Sequence, residues 1–141
     1  MQEGAPSVTE RKIRILVIED EASVQDMVKK LLEMAGWEVL QAYHVAEAVQ
    51  ILRDVRPLPD VTILDLMLPD IDGFELLRQM RSKKVFDALP VVILSALADP
   101  DSIRKGLSLG ADRYVTKPGI THNLVKIVKE VLKTGRRKEM P

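Results

Sequence analysis

The sequence predicts an α/β fold, a parallel five-stranded sheet with helices on both faces. Two observations carry this. Short apolar runs rich in β-branched residues occur five times, at Ile13–Ile18, Trp37–Leu40, Val61–Leu64, Val91–Leu94 and Tyr114–Val115, and such runs suit strands buried on both faces. After each run, apolar residues return at helical spacing. Strands that alternate with helices imply a parallel sheet between helical layers, joined by right-handed crossovers.

The elements follow in order. Behind the first strand, Val24, Met27, Val28, Leu31 and Leu32 fit the i, i+3, i+4, i+7, i+8 pattern of an amphipathic helix. Its N-terminal cap falls to Glu21 or Ser23, and Gly36 stands where a helix-ending glycine belongs. Val45, Ala48, Val49 and Leu52 mark the second helix, which Pro57 and Pro59 stop before the third strand. Pro69 and Gly73 signal a turn, so Asp70 and Asp72 read as turn acids ahead of a third helix marked by Phe74, Leu77 and Met80. Pro90 opens the fourth strand. Ile103 and Leu107, closed by Gly110, form the fourth helix, and Leu124, Ile127, Val128, Val131 and Leu132 the fifth. His44 and His122 lie far from any motif and read as surface residues.

Length and composition set the bounds. With 141 residues, one domain is expected: a flexible leader over 1–12, a folded domain over 13–133, and a tail or start of a linker over 134–141. Cysteine is absent, which excludes disulfides and thiolate metal sites and fits a reducing compartment. Lys+Arg and Asp+Glu both number 21, so a strongly basic surface for direct nucleic-acid binding is not indicated. No apolar run reaches the length of a membrane span, and the first residues lack the apolar stretch of a signal peptide. A cytoplasmic protein is expected.

In an open parallel sheet the site lies at the carboxyl ends of the strands. There the sequence sets Glu19-Asp20-Glu21 after the first strand, Asp65 after the third, Ser95 after the fourth and Thr116-Lys117-Pro118 after the fifth. Glu19, Asp20 and Asp65 in one cleft would repel one another unless a cation joined them. Oxygen ligands without His or Cys favour Mg2+, Mn2+ or Ca2+, and Mg2+ is the best match because it takes one or two carboxylates with waters and phosphate oxygens. A carboxylate can attack phosphorus and form an aspartyl-phosphate. The transferred group then needs positive charge and hydrogen-bond donors around its oxygens, which Mg2+, Lys117, Ser95 and backbone N–H groups can supply.

The stretches ILVIEDE, PDVTILDLMLPDIDGFELL, LPVVILSA and GADRYVTKP, in that order over about residues 13–133, resemble the receiver domain of bacterial two-component response regulators. The resemblance implies a flavodoxin-like (βα)5 doubly wound sheet of strand order 2-1-3-4-5. It implies that Asp65 is the phosphoacceptor and that Asp20 holds Mg2+ directly, Glu19 through water, with Asp65 and the backbone carbonyl of Met67 as further ligands. Ser95 then matches the switch hydroxyl, Tyr114 the switch aromatic and Lys117 the phosphate-contacting lysine, followed by a cis Lys117–Pro118 bond. The implied partners are a sensor histidine kinase or phosphotransfer protein, and an output domain or effector reached through the face of the fourth helix, fifth strand and fifth helix. A monomer or weak phosphorylation-dependent dimer is expected, with no membrane partner. Such a domain is a switch, not an enzyme, catalysing only its own phosphorylation and dephosphorylation.

The departures from the pattern are Glu19 where Asp is common, and Gly119 and Arg113 where a large transcription-factor subfamily has Phe and an acid used in dimer contacts; both put that dimer mode in doubt. Other readings fit less well. A phosphohydrolase of the haloacid dehalogenase type would carry an acid where Met67 stands. A flavodoxin-like cofactor binder would have a Ser-, Thr- and Gly-rich first loop instead of an acidic one. A degenerate scaffold would not keep the full residue set. The sequence leaves open whether the receiver stands alone or is cut from a longer regulator.

Overall fold

The structure, a computed structural model, describes residues 11–137. Five strands alternate with five helices: β1 Arg14–Ile18, α1 Ala22–Met34, β2 Glu38–Ala42, α2 Val45–Asp54, β3 Val61–Leu64, α3 Gly73–Arg81, β4 Val91–Ser95, α4 Pro100–Ser108, β5 Arg113–Thr116 and α5 Val125–Thr134. All pairings are parallel, in the order β2-β1-β3-β4-β5. The predicted fold class and strand order are both observed. The first twelve residues proposed as a leader lie outside the described residues except Arg11 and Lys12, and Arg11 pairs with Asp60 at 2.9 Å.

Each strand splits its side chains between two cores, as the two-residue period of a strand requires. Ile15, Val17, Ile63, Val92, Leu94 and Val115 meet Val28 and Leu32 of α1 and Val128 and Val131 of α5. Leu16, Ile18, Leu64 and Ile93 meet Ala48 and Leu52 of α2 and Leu76, Leu77 and Met80 of α3. Gly106 lets α4 approach the sheet, since a Cβ there would lie 2.5 Å from Ile93 Cδ1.

The caps differ in part from expectation. Asp72 caps its own helix α3 through Phe74 N at 2.9 Å. Asp70, read as a turn acid, accepts from Val45 N at 3.0 Å and Ala46 N at 3.1 Å and so caps α2, a helix distant in sequence. His44 is the N-cap of α2, its Nδ1 accepting from Glu47 N. Neither Glu21 nor Ser23 caps α1; Glu21 occupies the cap position without a side-chain bond. The Lys117–Pro118 bond is not cis: among the described residues the cis peptide is Arg56–Pro57. With a trans link, Lys117–Gly119 form a short 3-10 turn leading toward α5, and the lysine amine reaches the cleft from there.

The edge of the sheet opposite the strand carboxyl ends holds a second polar knot. Asp112, whose side chain is fully buried, accepts from Val91 N at 2.9 Å, Arg81 Nη2 at 3.3 Å, Arg136 Nε at 2.8 Å and Arg137 N at 2.6 Å. Gly135, at φ +71°, turns the chain after α5 to bring Arg136 and Arg137 back. Residues 134–137, read as tail, are thus docked against the domain.

Candidate functional site

The register of the sheet decides what meets at its carboxyl edge. Ile18 pairs with both Ala42 and Leu64, so the next residues of β1 and β3, Glu19 and Asp65, emerge side by side. Glu19 N donates to Ala42 O at 3.0 Å and Asp65 N to Ile18 O at 2.9 Å, extending the ladder by one step. Ser95 pairs with Thr116, which sets Lys117 beyond the end of β5 on the same edge. Gly73 is needed for the approach of α3: a Cβ there would lie 2.6 Å from Asp65 O and from Leu66 Cα.

The acidic residues converge as predicted. Carboxylate oxygens of Glu19, Asp20 and Asp65 lie within 4.8 Å of one another. Glu19 and Asp65 are buried while Asp20 faces solvent. Asp65 Oδ1 accepts from Met67 N at 3.2 Å, and Glu19 Oε2 from Glu21 N at 3.0 Å. Lys117 Nζ stands 3.0 Å from Glu19 Oε1, 3.2 Å from Glu21 Oε1 and 3.5 Å from Asp65 Oδ2. The approach to Glu19 is close enough for an ion pair but misaligned for a hydrogen bond, so the buried Glu19 Oε1 has no hydrogen-bond partner. Glu21, read from sequence as a helix cap, is instead a third carboxylate on the lysine. No local signal distinguished it, because the contact joins residues 96 apart in the chain.

The electrostatics follow from the crowding. Burial pushes the Glu19 carboxyl up to about 7, and the neighbouring Asp65 charge adds to the rise. Burial also raises Asp65, against the opposing pull of the Met67 N–H and the Lys117 charge. Burial alone would lower Lys117, but the ion pair with Glu19 and the charge of Asp65 outweigh it and hold the ammonium protonated. A carboxyl whose folded pKa lies above its unfolded value of about 4.5 weakens the fold as pH rises between the two. In Mg2+-free buffer, melting temperature is therefore expected to fall by several degrees from pH 5 to pH 7.5, and saturating Mg2+ to remove most of that fall. The lowered carboxyls of Asp70 and Asp99 act in a separate window below about pH 4. A melting temperature flat from pH 5 to 7.5 without Mg2+ would contradict the strained cluster.

On the far side of the cleft, the buried Ser95 Oγ accepts from Leu97 N at 3.1 Å. Tyr114 is half-buried, and its hydroxyl donates to Leu97 O at 2.6 Å. One loop residue is thus tied to both. A groove of about 590 Å³ opens beside the acids, lined among others by Asp20, Met67, Pro69, Phe74 and Leu97. Met67 is 59% exposed at its mouth. His122 is exposed and takes no part.

A sequence model described as the response regulator receiver domain matches residues 15–129. The phosphate regulon transcriptional regulatory protein PhoB of Pseudomonas aeruginosa is 38% identical over 119 residues, which is 84% of this chain and 51% of that protein. The transcriptional regulatory protein TrcR of Mycobacterium tuberculosis is 37% identical over 129 residues, 92% of this chain and 49% of that protein. The chain thus spans about half the length of these curated relatives. Among solved structures, a putative response regulator from Chloroflexus aurantiacus aligns with a TM-score of 0.81 at 33% identity, covering 87% of this chain and 99% of that one. A CheY-like receiver domain protein from Methanospirillum hungatei aligns with a TM-score of 0.79 at 27% identity, covering 88% and 96%.

Proposed function

We propose that this chain, which belongs to the response regulator receiver domain family, is switched by transfer of a phosphoryl group to Asp65. The observation that carries this is the grouping of the buried Asp65 with Glu19, Asp20 and the Lys117 ammonium at one sheet edge. An Asp65 oxygen attacks phosphorus as the bond from phosphorus to the donor breaks, the donor being the phosphohistidine of a sensor kinase or phosphotransfer protein. The donor imidazole leaves with the electron pair and takes up a proton.

The donor set fits Mg2+: hard oxygen ligands, crowded negative charge, and a buried Glu19 oxygen without a hydrogen-bond partner. Asp20, Asp65 and the Met67 carbonyl would hold it directly, and Glu19 through water. Bound there, it neutralises charge that develops on the phosphoryl oxygens. Lys117 contacts a second oxygen, leaving its resting partners Glu19 and Glu21. Ser95 donates to a third. The charged acceptor draws the Ser95 hydroxyl inward, which loosens its hold on Leu97 N and disturbs the loop to which Tyr114 is bonded. The reading is a population shift of the α4-β5-α5 face, which passes the state to an output domain or effector protein. We assign 13–133 as the receiver unit, with residues beyond it as tail or linker, and the cytoplasm as its compartment. A phosphohydrolase is not favoured, since Met67 stands where its second acid belongs.

Beryllofluoride with Mg2+ mimics the phosphoryl group on a carboxylate. Amide NMR shifts are expected to change along α4, β5 and α5, and not in an Asp65→Asn variant. Unchanged shifts on that face with beryllofluoride bound would refute the switch.

The phosphorylated form is expected to be comparatively long-lived. Met67 and Leu97 border the groove by which water reaches the phosphorus, and neither can orient that water or accept its proton. General-base help is typically worth about 10²–10⁴-fold; because it would be positioning alone, a smaller factor applies. After donor removal, a Met67→Asn, Leu97→Glu double variant should lose its acyl phosphate roughly ten-fold faster or more than wild type. Equal decay would show that the two apolar side chains do not set the lifetime.

A further inference from the structure

The carboxyl ends of β1 and β2 are tied together by a side chain that the phosphoryl chemistry does not use. Gln25, in the second turn of α1, is fully buried. Its Nε2 lies 2.8 Å from Ala42 O, 3.0 Å from Glu19 O and 3.1 Å from Val17 O, and its Oε1 accepts from Gln41 Nε2 at 3.0 Å. Two N–H groups serve three carbonyls, so at least one bond is shared. An amide buried on the inner face of a helix, beside Val28 and Leu32, carries a desolvation cost that an apolar residue would not. The three carbonyls it holds are the ones that fix where β1 ends and how the chain turns into Glu19-Asp20.

We infer that Gln25 is a positioning residue for the divalent cation: by clamping the Val17, Glu19 and Ala42 carbonyls it sets the peptide from which Glu19 and Asp20 project, and so the Mg2+ affinity of the cluster. This rests on the reading above that the cluster holds Mg2+. Supporting residues one step behind metal ligands typically change affinity by roughly 10–100-fold when removed. Gln25 touches no reacting atom. It is invisible to kinase and solvent alike, so its effect travels through the backbone of β1.

Calorimetric titration with Mg2+ tests this, on wild type, Asp20→Asn, Gln25→Met, Gln25→Asn and Gln41→Met, alongside melting in Mg2+-free buffer. Gln25→Met keeps the shape and loses the donors; its Mg2+ Kd is expected to rise about ten-fold. Acetyl phosphate labelling of that variant should be slow at low Mg2+ and recover towards the wild-type rate at saturating Mg2+. Gln41→Met leaves the donors in place and should weaken binding by about two-fold or less, since only the Oε1 anchor is lost. A purely structural Gln25 would lower the melting temperature of Gln25→Met while leaving Kd unchanged, and that result overturns the inference. Should Gln25→Met fail to fold, Gln25→Asn decides: its shorter arm cannot span the carbonyls, and wild-type affinity there overturns the inference equally. If wild type itself binds no Mg2+, the cation reading of the cluster fails and this inference falls with it. If wild type binds and Asp20→Asn does not, while both Gln25 variants match wild type, the inference alone fails.

Discussion

Replacing Asp112 by alanine is expected to destabilise the domain by about 3–5 kcal/mol, the range for removing one partner of a buried ion pair. The carboxylate is fully buried and accepts from Val91 N, Arg81, Arg136 Nε and Arg137 N. Alanine leaves the Val91 N–H without its side-chain acceptor. It also strips the carboxylate from the Arg81 guanidinium, whose side chain is 12% exposed and which keeps the Gly110 and Phe86 carbonyls alone. Burial, and then the charge of Arg136, already hold Arg81 down to about 10, while the charges of Asp112 and, less strongly, Asp87 oppose both. Without Asp112 a buried cation faces another cation with only the weaker help of Asp87. For a domain of this size the loss corresponds to about 10–20 °C in melting temperature. The exposed pair of Arg104 with Asp101 on α4 is the control, since its removal should cost less than about 0.5 kcal/mol. Urea unfolding of both variants measures the contrast. An Asp112→Ala variant within 1 kcal/mol of wild type would show that the arginine knot does not hold the sheet edge. Mg2+ affinity below the melting range should be unchanged, because the knot lies at the edge of the sheet opposite the acids.

Much of the fold was legible because its signals are local. Five β-branched runs and five helical stripes follow from the period of each element, and the parallel rule then brings Glu19, Asp20, Asp65, Ser95 and Lys117 to one edge without knowledge of any contact. The remainder depended on register and helix rotation. Gln25 falls outside the apolar stripe that marks α1 in the sequence, yet Gln25, Val28 and Leu32 are the buried residues of that helix. Their i, i+3, i+7 spacing was the available signal. Asp70 lies in a loop with ordinary turn residues, and only the packing of the β3-α3 loop against α2 gives it a helix to cap. Arg136 and Arg137 follow a helix-ending glycine and read as a basic tail, because nothing in their own sequence reveals a buried acid waiting at Asp112. The bond before Pro118 was the failure of analogy: trans geometry delivers the Lys117 amine to within 3.5 Å of Asp65.

The central claim, that Asp65 alone receives the phosphoryl group, is tested most directly by intact mass. Asp65→Asn keeps the shape and the bond to Met67 N, but an amide oxygen is too poor a nucleophile to form the acyl phosphate. The cleft also offers Glu19 and Asp20 as alternative carboxylates within 4.8 Å, so the comparison asks which oxygen reacts. Incubated with acetyl phosphate and Mg2+, wild type should gain the mass of one phosphoryl group, and lose it when Mg2+ is withheld during labelling. Asp65→Asn should gain none under the same conditions. Equal incorporation in the two proteins would contradict the assignment of Asp65.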